Sequence, residues 1–313
     1  MRLMLAPMEG VVDHLMRDML THIGGFDLCV TEFVRVVDQL LPPRVFHRLC
    51  PELDSGGLTP AGIPVRVQLL GQEPDWLAEN AARAVALGSH GVDLNFGCPA
   101  KTVNKSKGGA VLLKEPDSLF RIVKAVREAV PDEQPVTAKM RLGFSDKSLA
   151  IENAQSLAEA GAAHIVIHAR TKEEGYKPPA YWDWIAKVKR QVAVPIIANG
   201  EIWDRDDALR CQHESACDDL MLGRGALAMP NLAQVIRGEQ QKMSWHEVID
   251  LLVKYSGYER FGLKAKYYPN RIKQWLRYIA MQYPQAETMY REVRILQQSH
   301  DIVQTLHRYR DNA

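Results

Sequence analysis

Val92-Asp93-Leu94-Asn95-Phe96-Gly97-Cys98-Pro99-Ala100-Lys101 is the stretch on which the reading of this chain turns. Apolar Val92, Leu94 and Phe96 alternate with Asp93 and Asn95, a period of two that suits a strand, and Gly97 and Pro99 stop that strand on either side of Cys98. The thiol therefore sits in a loop at a strand's C-terminal end. Barrels of parallel strands and helices assemble their active sites from the loops at that end. A free cysteine is otherwise among the most buried residue types and behaves as a small apolar side chain. That packing reading suits Cys29, Cys211 and Cys217, while Cys50 offers no basis for a role. Cys98 differs because a Gly-Cys-Pro corner has no obvious packing use, and Lys101, Lys105 and Lys107 follow closely.

Outward from this stretch, eight segments read as strands: Arg2 to Met8, Asp27 to Val36, Pro64 to Gly71, Gly91 to Cys98, Pro135 to Gly143, His164 to Arg170, Pro195 to Ile202 and Asp219 to Leu227. Helical apolar spacing fills many of the intervals, as in Asp75 to Leu87, Asp117 to Val130, Leu149 to Ala160 and Trp182 to Gln191. Strands alternating with helices imply a parallel sheet, and eight such units close naturally into an α/β fold, the (β/α)8 or TIM barrel. An open doubly wound sheet is the alternative, weakened because no G-x-G-x-x-G follows the first strand.

The alternation stops after Leu227. Ser244-x-x-Glu247 is a capping box opening a helix through Val248, Leu251, Leu252 and Tyr255. After Asn270, Ile272, Trp275, Leu276 and Ile279 fall on one stripe, leaving Arg271, Lys273, Arg277 and Tyr278 on or beside the polar face. Ala286, Met289, Tyr290, Val293 and Leu296 repeat the pattern, and Ile302, Val303 and Leu306 form a last short helix. The expectation is a barrel over residues 1–241 followed by a small C-terminal α-helical bundle over 242–313.

Composition narrows the class. The chain has 313 residues, 46% hydrophobic and 25% charged, as an ordinary globular protein does. No apolar run approaches the roughly 20 residues that span a bilayer. The N-terminus lacks a signal peptide's features, so a cytoplasmic protein with no membrane partner is expected. Five irregularly spaced cysteines give neither a disulfide framework nor a zinc signature, so no metal is expected. Net charge is +1, unevenly spread: from Lys242 onward 12 Lys and Arg stand against 7 Asp and Glu, leaving the remainder at −4. Lys254 to Arg277 holds seven basic residues and one acid, Glu259. This asymmetry points to a polyanionic partner, with a solvated helix face as the competing explanation.

Each expected strand ends in residues that packing does not require. Ala6-Pro7-Met8-Glu9-Gly10 follows the first, and Gln68 interrupts the apolar third. Lys139 and Arg141 lie on the fifth, His168 and Arg170 on the sixth, Asn199-Gly200-Glu201 on the seventh and Gly223-Arg224-Gly225 on the eighth. A lone Lys or His in a strand is usually a satisfied or solvated group. Recurrence at one end of successive strands makes these groups converge on one site. Glycines after the last two strands suit a phosphate, with Arg224 adding a charge-assisted contact. Lys139 suits a ligand that becomes anionic, and Gln68 and Asn95 can donate and accept at a planar ring. The set resembles a flavin mononucleotide (FMN) site more than a sugar-phosphate site, because it lacks paired carboxylates for enolisation.

The runs Leu5-Ala6-Pro7-Met8-Glu9-Gly10, Asp93-Leu94-Asn95-Phe96-Gly97-Cys98-Pro99, His168-Ala169-Arg170-Thr171 and Ala198-Asn199-Gly200-Glu201, with Gly223-Arg224-Gly225, resemble the bacterial tRNA-dihydrouridine synthases over the whole chain. Thr31 to Gln39, Asn104 before a glycine-bearing turn, and Arg271-Ile272-Lys273-Gln274-Trp275-Leu276 look most like the DusC subfamily, which modifies uridine 16 of the D-loop. Lys105 and Lys107 depart from that pattern, in a turn expected to be richer in glycine.

The resemblance implies an NADPH-dependent flavoenzyme in which reduced FMN passes hydride from N5 to C6 of a flipped uracil and Cys98 gives a proton to C5. It implies cofactor contacts at Ala6, Pro7, Met8, Glu9, Gln68, Lys139, His168, Asn199, Gly200, Glu201, Gly223 and Arg224. Arg35, Asn95 and Tyr176 are candidates for holding the base or its neighbours. Arg271, Lys273, Gln274 and Arg294 are candidates for the RNA backbone, while Trp275 packs the bundle. The partner implied is tRNA; no protein partner is implied, and a monomer is expected. The strongest rival is an FMN barrel oxidoreductase acting on a free pyrimidine, as a dihydroorotate dehydrogenase does, which leaves the basic C-terminal segment unexplained. An RNA-binding module without catalysis would require an empty flavin site, although every motif residue is present.

Overall fold

A computed structural model describes residues 1–105, 107–259 and 267–312. Of the basic span, Arg260, Lys264 and Lys266 lie outside the described residues, as does Ser106 in the turn after Asn104.

Eight parallel strands close into a barrel: β1 (Leu3–Leu5), β2 (Leu28–Arg35), β3 (Val65–Leu70), β4 (Val92–Phe96), β5 (Val136–Arg141), β6 (Ile165–His168), β7 (Ile196–Asn199) and β8 (Leu220–Leu222). The closure joins β1 to β8, with Leu3, Met4 and Leu5 in register with Leu220, Met221 and Leu222. Alternate residues along each strand pack outward, against helices such as Pro74–Ala86 and Pro116–Ala129; examples are Val92, Leu94 and Phe96 on β4 and Val136, Ala138 and Met140 on β5. Residues between them point into the barrel. On β1, β2, β6, β7 and β8 these form a second, smaller apolar cluster that includes Met4, Val30, Val166, Ile197 and Met221. On β3, β4 and β5 they are polar: Arg66 and Gln68, Asp93 and Asn95, Thr137, Lys139 and Arg141. The strand period of two thus fills the barrel with an apolar plug on one side and a polar arc on the other.

Strand ends are shorter than the sequence implies. Asp219 to Leu227 reads as one strand, yet β8 stops at Leu222 and Arg224–Ala228 is a helix, because Gly223 turns the chain (φ −115°, ψ −106°) where pairing with β1 runs out. Pro195 to Ile202 stops at Asn199, since Gly200 (φ +115°) and Glu201 (φ +60°) leave the extended region. The first strand, expected over Arg2 to Met8, pairs only over Leu3–Leu5. A bulge in the β2–β3 pairing between Val30 and Phe33 re-aims β2, so that Glu32 and Phe33 face the barrel mouth.

Beyond the barrel, Ser244 caps the helix Trp245–Glu259 reciprocally: the Ser244 N–H donates to Glu247 Oε2 (2.7 Å) and the Glu247 N–H donates to Ser244 Oγ (3.3 Å). Helices Tyr268–Ile279, Pro284–Val293 and Ser299–Asp311 follow. Ile272, Trp275, Leu276 and Ile279 are buried as their spacing implies, each aliphatic one worth about 1.5–3 kcal/mol of burial.

Candidate active site

The inward residues at the C-terminal ends of β3 to β7 are Gln68, Asn95, Lys139, Arg141, His168 and Asn199. They floor a cavity of about 510 Å³, of a size that takes a cofactor. Ala6 to Glu9 after β1, Gly200–Glu201 after β7 and Gly223–Arg224 after β8 wall it, and Cys98 and Tyr176 reach it from β4 and the loop after β6. Every residue expected at the cofactor, together with the thiol, therefore lines one space.

A chain of hydrogen bonds runs up the polar arc to the thiol. Thr137 Oγ1 donates to Asp93 Oδ1 (2.6 Å), Gln68 Nε2 donates to Asp93 Oδ2 (2.7 Å), and Asn95 Nδ2 donates to Gln68 Oε1 (2.7 Å). Asn95 Oδ1 then accepts the backbone N–H groups of Gly97 (3.0 Å) and Cys98 (2.9 Å). Asn95, a candidate for holding the base, lines the cavity, and its oxygen also fixes the shape of the thiol loop. Burial pushes the Asp93 carboxyl up, against the lowering effect of its Gln68 and Thr137 hydrogen bonds.

On the far side of the loop, the Cys98 carbonyl accepts from Asn104 Nδ2 (3.0 Å) and from the Ala110 N–H (3.2 Å). A Cβ on Gly109 (φ +68°) would lie 3.0 Å from that carbonyl oxygen, so the chain crosses beneath the thiol only as glycine. Lys107 stands in the glycine-favouring left-handed conformation at φ +55°, which accounts for the unexpected lysine: the turn is kept without the glycine. Burial pushes the half-buried Cys98 thiol up, so it is protonated at neutral pH. The other four cysteines are buried.

Facing the thiol, Lys139 Nζ donates to Asn199 Oδ1 (3.1 Å), and Asn199 Nδ2 donates to the Met221 carbonyl (2.8 Å). Burial, and then the Arg141 charge, bring Lys139 down to about 8. His168 is driven well below the usual imidazole range by burial and by Arg141 and Lys139, and is neutral. Its Nδ1 is enclosed without a hydrogen-bond partner among the described residues. Gly200 lets the chain pass close over this ring: a Cβ there would meet His168 Nε2 at 3.3 Å.

At the β7–β8 side the Arg224 guanidinium lies between two rings, 4.7 Å from the centroid of Tyr176 and 5.0 Å from that of Trp203. Glu201 organises this corner: its carboxylate accepts from Arg170 and from Trp203 Nε1 (2.9 Å) and stands 3.6 Å from Arg224. Tyr176 stacks edge-on against His168 at 5.9 Å and lies under Arg141 at 5.2 Å. Glu201 lines the cavity as its expected cofactor role requires, while its carboxylate oxygens hold the arginines and Trp203.

The expected RNA contacts are placed differently from one another. Arg35 is exposed and lines, with Lys105 and Lys107, a neighbouring depression of about 280 Å³ outside the main cavity. Arg294 is exposed. Arg271 does not face solvent as its helical position implied: it pairs with Asp13 (2.8 Å) and donates to the carbonyls of Gly10 (3.1 Å) and Val11 (3.3 Å). Lys273 Nζ donates to the Leu296 carbonyl, and Gln274 lies in the seam beside Val11 and Leu227. Trp275 is buried as expected, and its Nε1 donates to the Leu227 carbonyl (3.1 Å).

Several lining residues fall outside the expected site set. Arg141 was legible, two positions after Lys139 on the same strand. Trp203 and Tyr278 were not, because their place depends on turns and on a domain contact that no local pattern encodes.

A (β/α)8 barrel that gathers a thiol, a lysine and an arginine-bearing glycine corner at the C-terminal ends of its strands has the layout of a barrel enzyme. Comparison with known proteins narrows this. The chain matches the dihydrouridine synthase (Dus) family over residues 4–311. It is 60% identical over 306 residues to a tRNA-dihydrouridine(16) synthase of Shewanella oneidensis, covering 98% of this chain and 97% of that one. The identity is 54% with the protein of that name from Vibrio cholerae (99% and 97% covered) and 52% with that of Escherichia coli K12 (98% and 98%). Among solved structures, morphinone reductase in complex with tetrahydroNAD superposes with a TM-score of 0.52 at 13% identity, over 77% of this chain and 88% of that one, a likeness of fold. The chain belongs to the dihydrouridine synthase family.

Proposed function

We propose that the protein reduces uridine to 5,6-dihydrouridine in the D-loop of tRNA, at position 16, with FMN as cofactor and NADPH as reductant. The carrying observation is one cavity with a neutral thiol at its β4 side and a cationic glycine corner across the barrel at β7 and β8. Position 16 is supported by the shared name of relatives at 52–60% identity. The donor set fits FMN: Lys139 for the ring, glycines and Arg224 for the phosphate, all lining one cavity. Flavin held by these residues would supply hydride-transfer chemistry between the nicotinamide and C6 of the uracil.

The chain's own residues do the rest. Ala6 to Glu9 and Gln68 bound the ring, Lys139 neutralises charge that grows on it, and Asn199 holds Lys139 in place. Cys98 gives the proton on Sγ to C5 of the base, a step that requires the thiol rather than the thiolate. Asn95 aims that thiol, and Tyr176, with Arg35 outside the mouth, holds the base and its neighbours once the nucleotide leaves its stack. Residues 1–241 carry the chemistry, and 242–313 dock the RNA through the exposed Arg294, with Lys273 held by the Leu296 carbonyl and Gln274 in the seam behind it, the chain acting as a monomer. A free-pyrimidine substrate leaves the exposed basic residues of that segment unexplained.

The test is the visible spectrum of the purified protein, followed by bleaching with NADPH and reoxidation on adding unmodified tRNA. Flavin bands that recover with tRNA and not with free uridine are expected; recovery with the free base alone would transfer the chain to the pyrimidine oxidoreductases.

A further inference from the structure

Three residues on the Tyr268–Ile279 helix, Arg271, Trp275 and Tyr278, are spaced i, i+4 and i+7 and therefore share one face. That face lies on the barrel mouth. Arg271 grips the loop after β1 through Gly10, Val11 and Asp13, and Trp275 grips the helix after β8 through the Leu227 carbonyl. Since β1 and β8 are paired, the helix bridges the two adjacent loops that carry Pro7–Glu9 and Gly223–Arg224. The third residue of the stripe enters the cavity. Among the described residues, Tyr278 is the lining residue contributed from beyond position 241.

Its surroundings specify the end of the ligand it meets. Tyr278 is half-buried and lines the same cavity as Arg224 and Tyr176, and burial keeps its hydroxyl protonated. It sits on the β8 side of the mouth, four strands around the barrel from the β4 loop that carries Cys98. A phenol O–H that shares a cavity with an arginine whose two faces are covered by rings is a second donor for the anion the arginine receives.

We infer that Tyr278, delivered by the C-terminal segment, is a binding residue for the phosphate group of the flavin, sharing that group with Arg224. The inference rests on the flavin reading given above and adds a residue from outside the barrel to the cofactor site. Arg271 and Trp275 are then positioning residues that hold Tyr278 over the glycine corner.

The experiment compares binding of FMN and of riboflavin, which lacks the phosphate, to apoprotein by quenching of flavin fluorescence. In Tyr278→Phe the FMN dissociation constant rises about tenfold, the loss of one hydrogen bond to a charged group, while riboflavin binding and the melting temperature stay at wild-type values. Equal weakening of both flavins would make Tyr278 a packing residue and overturn the inference. Unchanged FMN binding with weakened tRNA binding would overturn it too, moving the hydroxyl to the RNA. If wild-type protein binds neither flavin, the flavin reading itself falls and takes the inference with it; wild-type binding with an indifferent variant defeats the inference alone.

Discussion

Asn95 Oδ1 accepts the backbone N–H of Cys98 at 2.9 Å, so the reactive residue is aimed by a side chain three positions earlier on the same strand end. Asn95→Ala leaves two backbone donors of the loop unpartnered, at about 1–3 kcal/mol each where buried. Bound flavin and its reduction by NADPH should be unaffected, while tRNA-driven reoxidation should slow by about 10- to 100-fold. Stopped-flow measurement of the two half-reactions separates them; an equal loss in both would show that Asn95 supports the cavity as a whole.

Cys98→Ala should retain flavin and tRNA and lose about 10²–10⁴ of the reoxidation rate, the scale of general acid catalysis. Burial raises this thiol, so in the wild type the proton stays available beyond the ordinary thiol range of about 8.5. The loss of rate that belongs to this proton should therefore begin above the ordinary thiol range, separate from the titration of Lys139 near 8. A decline that begins near pH 7 would identify a different acid.

Lys139 has the opposite sign. Burial lowers it to about 8 from the ordinary lysine value of 10.5. Between those two pH values the unfolded chain holds a proton that the folded chain has released, so this group makes stability rise with pH across that window. Below pH 8 both states hold the proton, and the folded state bears the full cost of a buried ammonium. Lys139→Met should flatten the rise in apoprotein stability between pH 8 and pH 10, measured by urea unfolding. A slope equal to that of the wild type would place the lysine in water.

The basic residues of the C-terminal segment should divide into two kinds. Arg277→Glu and Arg294→Glu change exposed side chains. They should weaken tRNA binding and reduce its dependence on salt by roughly one unit of slope for each phosphate that is no longer neutralised, with no change in melting temperature. Arg271→Glu sets a carboxylate against Asp13 and the Gly10 and Val11 carbonyls, and should destabilise the protein by about 3 kcal/mol. Melting curves beside salt-titrated binding tell the two apart.

The sequence made the barrel legible because a strand with helices on its outer face and a polar arc on its inner one leaves an alternation that survives without tertiary context, as Val92, Leu94 and Phe96 around Asp93 and Asn95 illustrate. It made the cavity legible because polar residues at successive strand ends have nowhere else to converge. What it hid depends on neighbours distant in the chain. Arg271 occupies a helix position that reads as solvent-facing and is claimed by a loop some 260 residues away. Asn95 reads as a ligand group, and only the fold of its own loop takes its oxygen. The end of the eighth strand was hidden as well, since Gly223 carries no local signal that its neighbour Leu222 is the last residue with a partner.

The bridge from the Tyr268–Ile279 helix to the loops after β1 and β8 also orders events on the ribosome. Leu3 to Leu5 wait for Leu220 to Leu222 before the barrel can close, and the closed mouth then waits for Arg271 and Trp275. At a synthesis rate of roughly 5–20 residues per second, the thiol loop is made roughly 10 to 35 s before the tyrosine that roofs the opposite end of its cavity. The nascent chain thus carries its thiol well before the residue that completes the cavity lining, so a message that ends before this helix yields a thiol without a finished cavity around it.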